Sequence, residues 1–210
     1  MAETQAGDAM REDRRRWNER YSQRRPESYG RADAAVVSWA ERAQKGAALD
    51  LAAGTGGNSL ALARRGFEVT AVDVSDVSLE ILRRRARDEG VLEGLHLVRA
   101  DLDQWTPPPG AFQLVVCARF LSRPLCPAIV DALAPGGLLL FQTFTERLLE
   151  ERPNFPADFC LRDGEPQSLF PDLECLELAE VELDGRPLRR FVGRKARGAS
   201  AEVVSAGRMA

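Results

Sequence analysis

Apolar runs of five to eight residues alternate with segments of helical length along most of the chain, and few folds accept that rhythm. Strands joined by helical crossovers must lie parallel, so the pattern specifies an α/β architecture with helices on both faces of the sheet. GRADAAVVSWAERAQ has the periodicity of an amphipathic helix, AALDLA that of a first strand, and NSLALARRG that of a helix closed by Gly66. FEVTAVDV is the second strand, and SDVSLEILRRRARDEG a helix with Ser75 as N-cap and Gly90 as terminator. LHLVRAD and AFQLVVCA follow as strands three and four. RPLCPAIVDAL is a helix stopped by Pro135, Gly136 and Gly137, and LLLFQTF is strand five. LECLELAEVELDG and RPLRRFVGRKA then turn at Asp184-Gly185 with no room for a crossover, so this pair is antiparallel. The expected sheet is seven-stranded, mostly parallel, and finished by an antiparallel hairpin. A chain of 210 residues with 44% hydrophobic content fills one sizeable core. We assign that core to residues 30–196, after an arm at 1–29 and before a small, polar tail at 197–210 expected to be disordered.

The turn after the first strand reads Asp50-Leu-Ala-Ala-Gly54-Thr-Gly56-Gly57. It matches neither standard phosphate loop. Ser59 stands where a dinucleotide motif needs its third glycine, and no lysine occurs from 46 to 94 to serve a triphosphate. An acid at that strand end repels phosphate and receives a cationic amino group. Asp73 and Asp101 recur at the ends of strands two and three, and the carboxyl ends of an open α/β sheet face one crevice. Each acid alone could be a turn residue or cap; three in succession around a glycine turn suit a ligand with an ammonium, a ribose diol and an exocyclic amine.

Charge and cysteine usage exclude other classes. The formal net charge of −3 provides no global attraction to nucleic acid or anionic membrane, and no apolar run is long enough to span a bilayer. Cys117, Cys126, Cys160 and Cys175 form no CxxC pair and His96 stands alone, so no metal site is expected. Residues 11–25 depart from the average, with seven arginines against three acids. They form either a solvated helix face with internal ion pairs or an arm over the site that meets an anionic substrate or cofactor carboxylate. Trp17 and Tyr21, spaced i,i+4, share a helix face that can dock the arm on the body.

The ordered set LDLAAGTGG, VTAVDVS, VRADLDQW, FQLVVCARFL and LAPGGLLLFQTF, closed by the hairpin, resembles the class I S-adenosylmethionine-dependent methyltransferases, over residues 47 to about 196. That resemblance implies a Rossmann-like fold and S-adenosylmethionine as cofactor, with S-adenosylhomocysteine as product. It also implies roles. Asp50 lies near the methionine amino group, and Ala52, Gly54 and Gly56 let backbone approach the ligand. Asp73 bonds the ribose hydroxyls, with Val74 against the adenine. Asp101 takes the adenine amine, the Leu102 N–H a ring nitrogen, and the Cys117 carbonyl the ammonium. Within the class, WNERY, FLSRPL and NFPADFCLRDGE resemble the tellurite-resistance and thiopurine-type small-molecule enzymes. The chain departs from them at Ala52, where the family often has glycine, and at Asp163 and Pro166; alanine is a mild change there.

The charged N-terminal stretch without an apolar segment, and the lack of a spanning run, give the expectation of a soluble, cytoplasmic protein, and the resemblance implies a small-molecule acceptor. Candidate acceptor-binding residues are Arg119 and Arg123 for an anion, Tyr21 from the arm, and Phe120 with Phe155 and Phe159 for an apolar wall. The arm and the loop at 145–165 are expected to form a lid. His96 starts its strand, about 16 Å from the crevice at ~3.3 Å per residue, and is not placed to act as base. Ala118-Arg119-Phe120-Leu121 lacks the pattern of adenine or glutamine amino-methylating enzymes. With no evident base, a soft acceptor such as a thiolate or a selenium or tellurium species is favoured, unless Asp158, Asp163, Glu165 or Tyr29 reaches the pocket. Two rivals stand beside this reading: a macromolecular methyltransferase docking RNA or protein through the arm, and a non-catalytic nucleotide-binding module.

Overall fold

The computed structural model describes residues 2–198, with side chains from residue 12 onward. Its helices are α1 Ala2–Ser22, α2 Ala34–Arg42, α3 Gly57–Ala63, α4 Asp76–Asp88, α5 Cys126–Ala132, α6 Leu148–Glu151 and α7 Glu165–Leu169. Its strands are β1 Ala47–Leu51, β2 Glu68–Asp73, β3 Leu95–Arg99, β4 Phe112–Ala118, β5 Leu133–Phe144, β6 Leu173–Leu183 and β7 Arg186–Lys195. They form one sheet in the order β3-β2-β1-β4-β5-β7-β6, parallel from β3 through β5, with β7 antiparallel to both its neighbours. The expected hairpin therefore inserts with its second strand inward, which leaves β6 at the edge.

Residues along each strand alternate between two apolar layers, as a two-residue side-chain period requires. Leu114, Val116, Leu138 and Leu140 face the layer under α2, α3 and α4, with Trp39, Leu60 and Leu82. Val115, Cys117, Leu139 and Phe141 face the layer under α5 and the late loop, with Ile129, Leu161 and Phe170. Between β1 and β4 the strand order reverses, and the carboxyl ends at such a switch point are where open α/β sheets bind ligands.

Two expectations need correction. Pro135, Gly136 and Gly137 do not separate a helix from strand five; they lie inside β5, which starts at Leu133 paired with Phe112. The register slips between Phe112 and Leu114, Gly136 adopts φ +78°, and a side-chain carbon on Gly137 would stand 2.9 Å from the Phe112 carbonyl. The glycines carry a bulge, which stretches the strand through a segment that punctuates on paper. Asp101 lies two residues past the end of β3, in a turn. The tail expected at 197–210 falls outside the described residues from 199 onward. No helix among the described residues is long and apolar enough to cross a membrane.

Candidate functional site

The glycine turn is built by backbone hydrogen bonds that pin it to β2. The Ala53 N–H donates to the Val72 carbonyl, and the Gly54 N–H to Asp73 Oδ2 at 2.7 Å. The Ser75 N–H reaches the other oxygen of Asp73 at 2.9 Å, and Ser75 Oγ caps α4 by accepting from the Ser78 N–H. Ala52, Gly54 and Gly56 all have left-handed φ, at 53°, 55° and 81°. Ala52 is thus less mild a departure than its size suggests, since a left-handed non-glycine residue costs roughly 1–2 kcal/mol. Gly56 is also glycine for a reason other than ligand approach: a Cβ there would stand 2.0 Å from Leu82 Cδ1 on α4. Gly54 does face the crevice, where a Cβ would meet the Tyr21 hydroxyl at 2.8 Å.

The three acids sit in different surroundings. Asp50 is buried inside β1 and accepts from Ser59 Oγ at 2.5 Å. Burial pushes its pKa up to about 6 against the lowering pull of Ser59 and Arg119. Asp73 is also raised by burial, with the Ser75 and Gly54 N–H groups opposing. Asp101 is half-buried and accepts from the Asp103 N–H, while the Ala100 N–H ties that turn to the Asp73 carbonyl. Beside these acids, Leu102 is buried and Val74 half-buried. The Cys117 thiol is buried, pushed far up by desolvation, and points at the Phe120 carbonyl at 3.6 Å. It is a filler rather than a nucleophile.

On the side of the N-terminal arm, α1 lies against α4 through Arg14, which reaches Asp76 at 2.6 Å, and Asn18, which accepts from Ser75 Oγ at 2.7 Å. Docking brings Tyr21, stacked on Trp17, to the glycine turn. Burial and then Asp73 push the Tyr21 pKa up to about 12. Several arm arginines stay within the arm: Arg16 pairs with Asp13, Arg20 lies over Trp17 and Arg24 over Tyr21. Arg119 follows β4 with φ 61°, held there by its N–H on the Gln142 carbonyl at 2.7 Å. Its exposed guanidinium lowers the pKa values of both Asp50 and Tyr21, and it has no ion pair among the described residues.

Arg123 is a correction. It forms an ion pair with Glu165 at 2.6 Å and donates to the Asp158 and Cys160 carbonyls, so its guanidinium fastens the late loop instead of facing an acceptor. Glu165 is held below the usual carboxylate range by that bond, and Asp163 by Arg189. Tyr29 lies under Arg85. Phe120 packs half-buried on the α5 layer, Phe155 packs on Phe144, and Phe159 is exposed.

Several site residues carry no signal in the sequence. Ser59 braces Asp50, and Asn58 accepts from the Asp33 N–H at 2.9 Å. Thr55 holds the Gly30 N–H with its hydroxyl and the Arg85 guanidinium with its carbonyl. Behind them Gln142 donates to Asp33 at 2.7 Å and accepts from Arg190, which also reaches Glu177. A buried Ser or Asn in a helix's first turn beside a strand-end acid was the one available hint, and it singled out no partner.

A family model described as a methyltransferase domain matches residues 48–137. The chain is 37% identical over 103 residues to trans-aconitate 2-methyltransferase of Sinorhizobium fredii, covering 46% of this chain and 38% of that protein. It is 31% identical over 107 residues to a ubiquinone biosynthesis O-methyltransferase of Idiomarina loihiensis, covering 48% and 43%. The matches span less than half of these relatives' length. Among solved structures, TehB from Haemophilus influenzae superposes with a TM-score of 0.63 at 24% identity, covering 78% of this chain and 62% of that one. Magnesium protoporphyrin IX methyltransferase from Synechocystis PCC 6803 with bound SAH gives 0.63 at 16%, covering 77% and 80%. Asp50, Asp73 and Asp101 thus lie in the stretch that matches the methyltransferase-domain model, and the chain around them shares the fold of these solved structures.

Proposed function

We propose that this chain holds S-adenosylmethionine on the glycine turn and passes its methyl group to a small-molecule acceptor beneath α1. The observation that carries this reading is the state of Asp73. Two backbone N–H groups, one on each oxygen, fix the carboxylate. The Ser78 side chain and the Val74 backbone also bear on it, and a carboxylate held this firmly at a strand end beside the glycine turn is the complement of a ribose diol. Asp50, with its buried charge, takes the ammonium, and Asp101 and Leu102 the adenine edge.

When bound, the cofactor supplies an electrophilic methyl on a sulfonium; the C–S bonding pair leaves with sulfur as the acceptor's lone pair bonds carbon. The protein's tasks are alignment and exclusion of water. Tyr21 closes the crevice above Gly54, and Arg119 orients an acceptor that bears negative charge. Glu165 and Asp163 are committed to arginines, and Tyr21 keeps its proton at neutral pH. An acceptor that arrives anionic or lone-pair rich needs no proton removed, which favours a thiolate or another soft nucleophile. Four free cysteines fit a reducing, cytoplasmic setting.

The test is transfer of label from methyl-labelled S-adenosylmethionine to a panel of thiols, selenite, tellurite, halides, carboxylates and amines. Label on a soft anion is the expected result. Label on none of them, or only on carboxylates or amines, overturns the reading.

A further inference from the structure

At the far end of α2 from the glycine turn lies a cavity of about 330 Å³, lined among others by Trp39, Arg42, Gln44, Pro135, Arg194 and Arg197. We propose that it is a second binding site, specific for a small polyanion carrying at least two phosphate or carboxylate charges. Three guanidiniums converge there. Arg42 stacks over the Trp39 ring at 4.7 Å from its centroid. The stem of Arg197 lies on Gly136, its Cγ 3.2 Å from where a Cβ would stand. Neither has an ion pair among the described residues, and Arg194 meets a carboxylate, Glu174, only at 3.8 Å.

Every charged group on the lining is a donor in fork geometry, which matches the paired oxygens of phosphate and carboxylate. The volume is that of a small ligand. Leu138, Leu176 and Pro135 add an apolar wall, so a compact organic body is accommodated along with its charges. The frame is rigid: the C-terminal end of α2, the bulged start of β5 and the end of β7. A side chain on Gly136 would displace Arg197, so the bulge shapes this site as well as the strand. With nine residues at ~1.5 Å each, α2 puts about 14 Å between this cavity and Asp33, whose N–H is held by Asn58 next to the glycine turn. The cofactor and the polyanion therefore have separate places.

The experiment is calorimetric titration of the full chain with inorganic pyrophosphate and, separately, citrate, each with and without saturating S-adenosylhomocysteine. Saturable one-site binding that persists with S-adenosylhomocysteine is expected, and the preferred probe distinguishes phosphate from carboxylate ligands. Arg42→Gln with Arg197→Gln should raise Kd at least tenfold, and Arg194→Gln alone by a smaller factor. Arg84→Gln with Arg87→Gln, exposed on α4 and equal in charge removed, should leave Kd unchanged. No saturable binding of either probe, loss of binding when S-adenosylhomocysteine is added, or equal weakening in the two double variants would overturn the proposal.

Discussion

The half of the site proposed for the cofactor and the half proposed for the acceptor are built from different materials. Around β1 and β2 the contacts come from backbone N–H groups and buried carboxylates within about one strand-turn-helix unit: Gly54 and Ser75 on Asp73, and Ser59 on Asp50. Around the end of β4 they come from long side chains reaching across the sequence: Arg123 to Glu165, and Tyr21 from α1 to the glycine turn. Local backbone geometry tolerates few substitutions, whereas an exposed arginine on a loop is easily exchanged. The first half suits a constant ligand and the second a variable one.

The largest effect should test the local half. Gly56→Ala forces Cβ into Leu82 and keeps a left-handed φ, costing about 3 kcal/mol from overpacking and strain combined. Urea unfolding should show a lowered midpoint, and an unchanged one would mean the turn is looser than described. Next, Asp73→Ala should weaken S-adenosylmethionine binding by about 1–3 kcal/mol in calorimetry; wild-type affinity would remove the ribose assignment.

Asp50 gives a pH test of the same half. With its folded pKa raised to about 6, the carboxyl must lose a proton to receive an ammonium. Affinity should fall about tenfold between pH 7 and pH 5, and Asp50→Asn should flatten that slope. In the free protein the sign is opposite: a raised acid stabilises the fold below the ordinary Asp range, near pH 4, and that contribution is lost as pH rises through about 6. A pH-independent Kd would mean Asp50 is structural.

Arg119→Gln probes the other half. It should raise the acceptor KM about three- to tenfold, roughly 1 kcal/mol, while the cofactor Kd stays put. If both constants move together, the division into halves fails at this residue. The smallest expected effect is a gain: Ala52→Gly relieves the left-handed backbone and should stabilise by about 0.5–1 kcal/mol after glycine's entropy is counted, read as a small rise in Tm.

Much of the cofactor half was legible because its signals are short-range. Strand period, the Ser75 cap and the strand-end position of Asp73 all follow from neighbours a few residues away. LAPGG misled because a bulge and a helix stop use the same residues, and only pairing with Phe112 distinguishes them. The choice for Arg123 between an acceptor and an ion pair was undecided for a similar reason: its partner Glu165 lies 42 residues away. The brace from Gln142 to Asp33, 109 residues apart, left no trace in either segment.

The sequence by itself determined the α/β alternation, the glycine turn and its trio of acids, because dihedral preference and side-chain period act within a few residues. The tertiary structure decided which strand lies inward in the hairpin, which arginine is free and which is tied, what Gly56 makes room for, and that three guanidiniums share one cavity. Those depend on surfaces meeting across the fold, and residue identity alone carries no information about which surfaces meet.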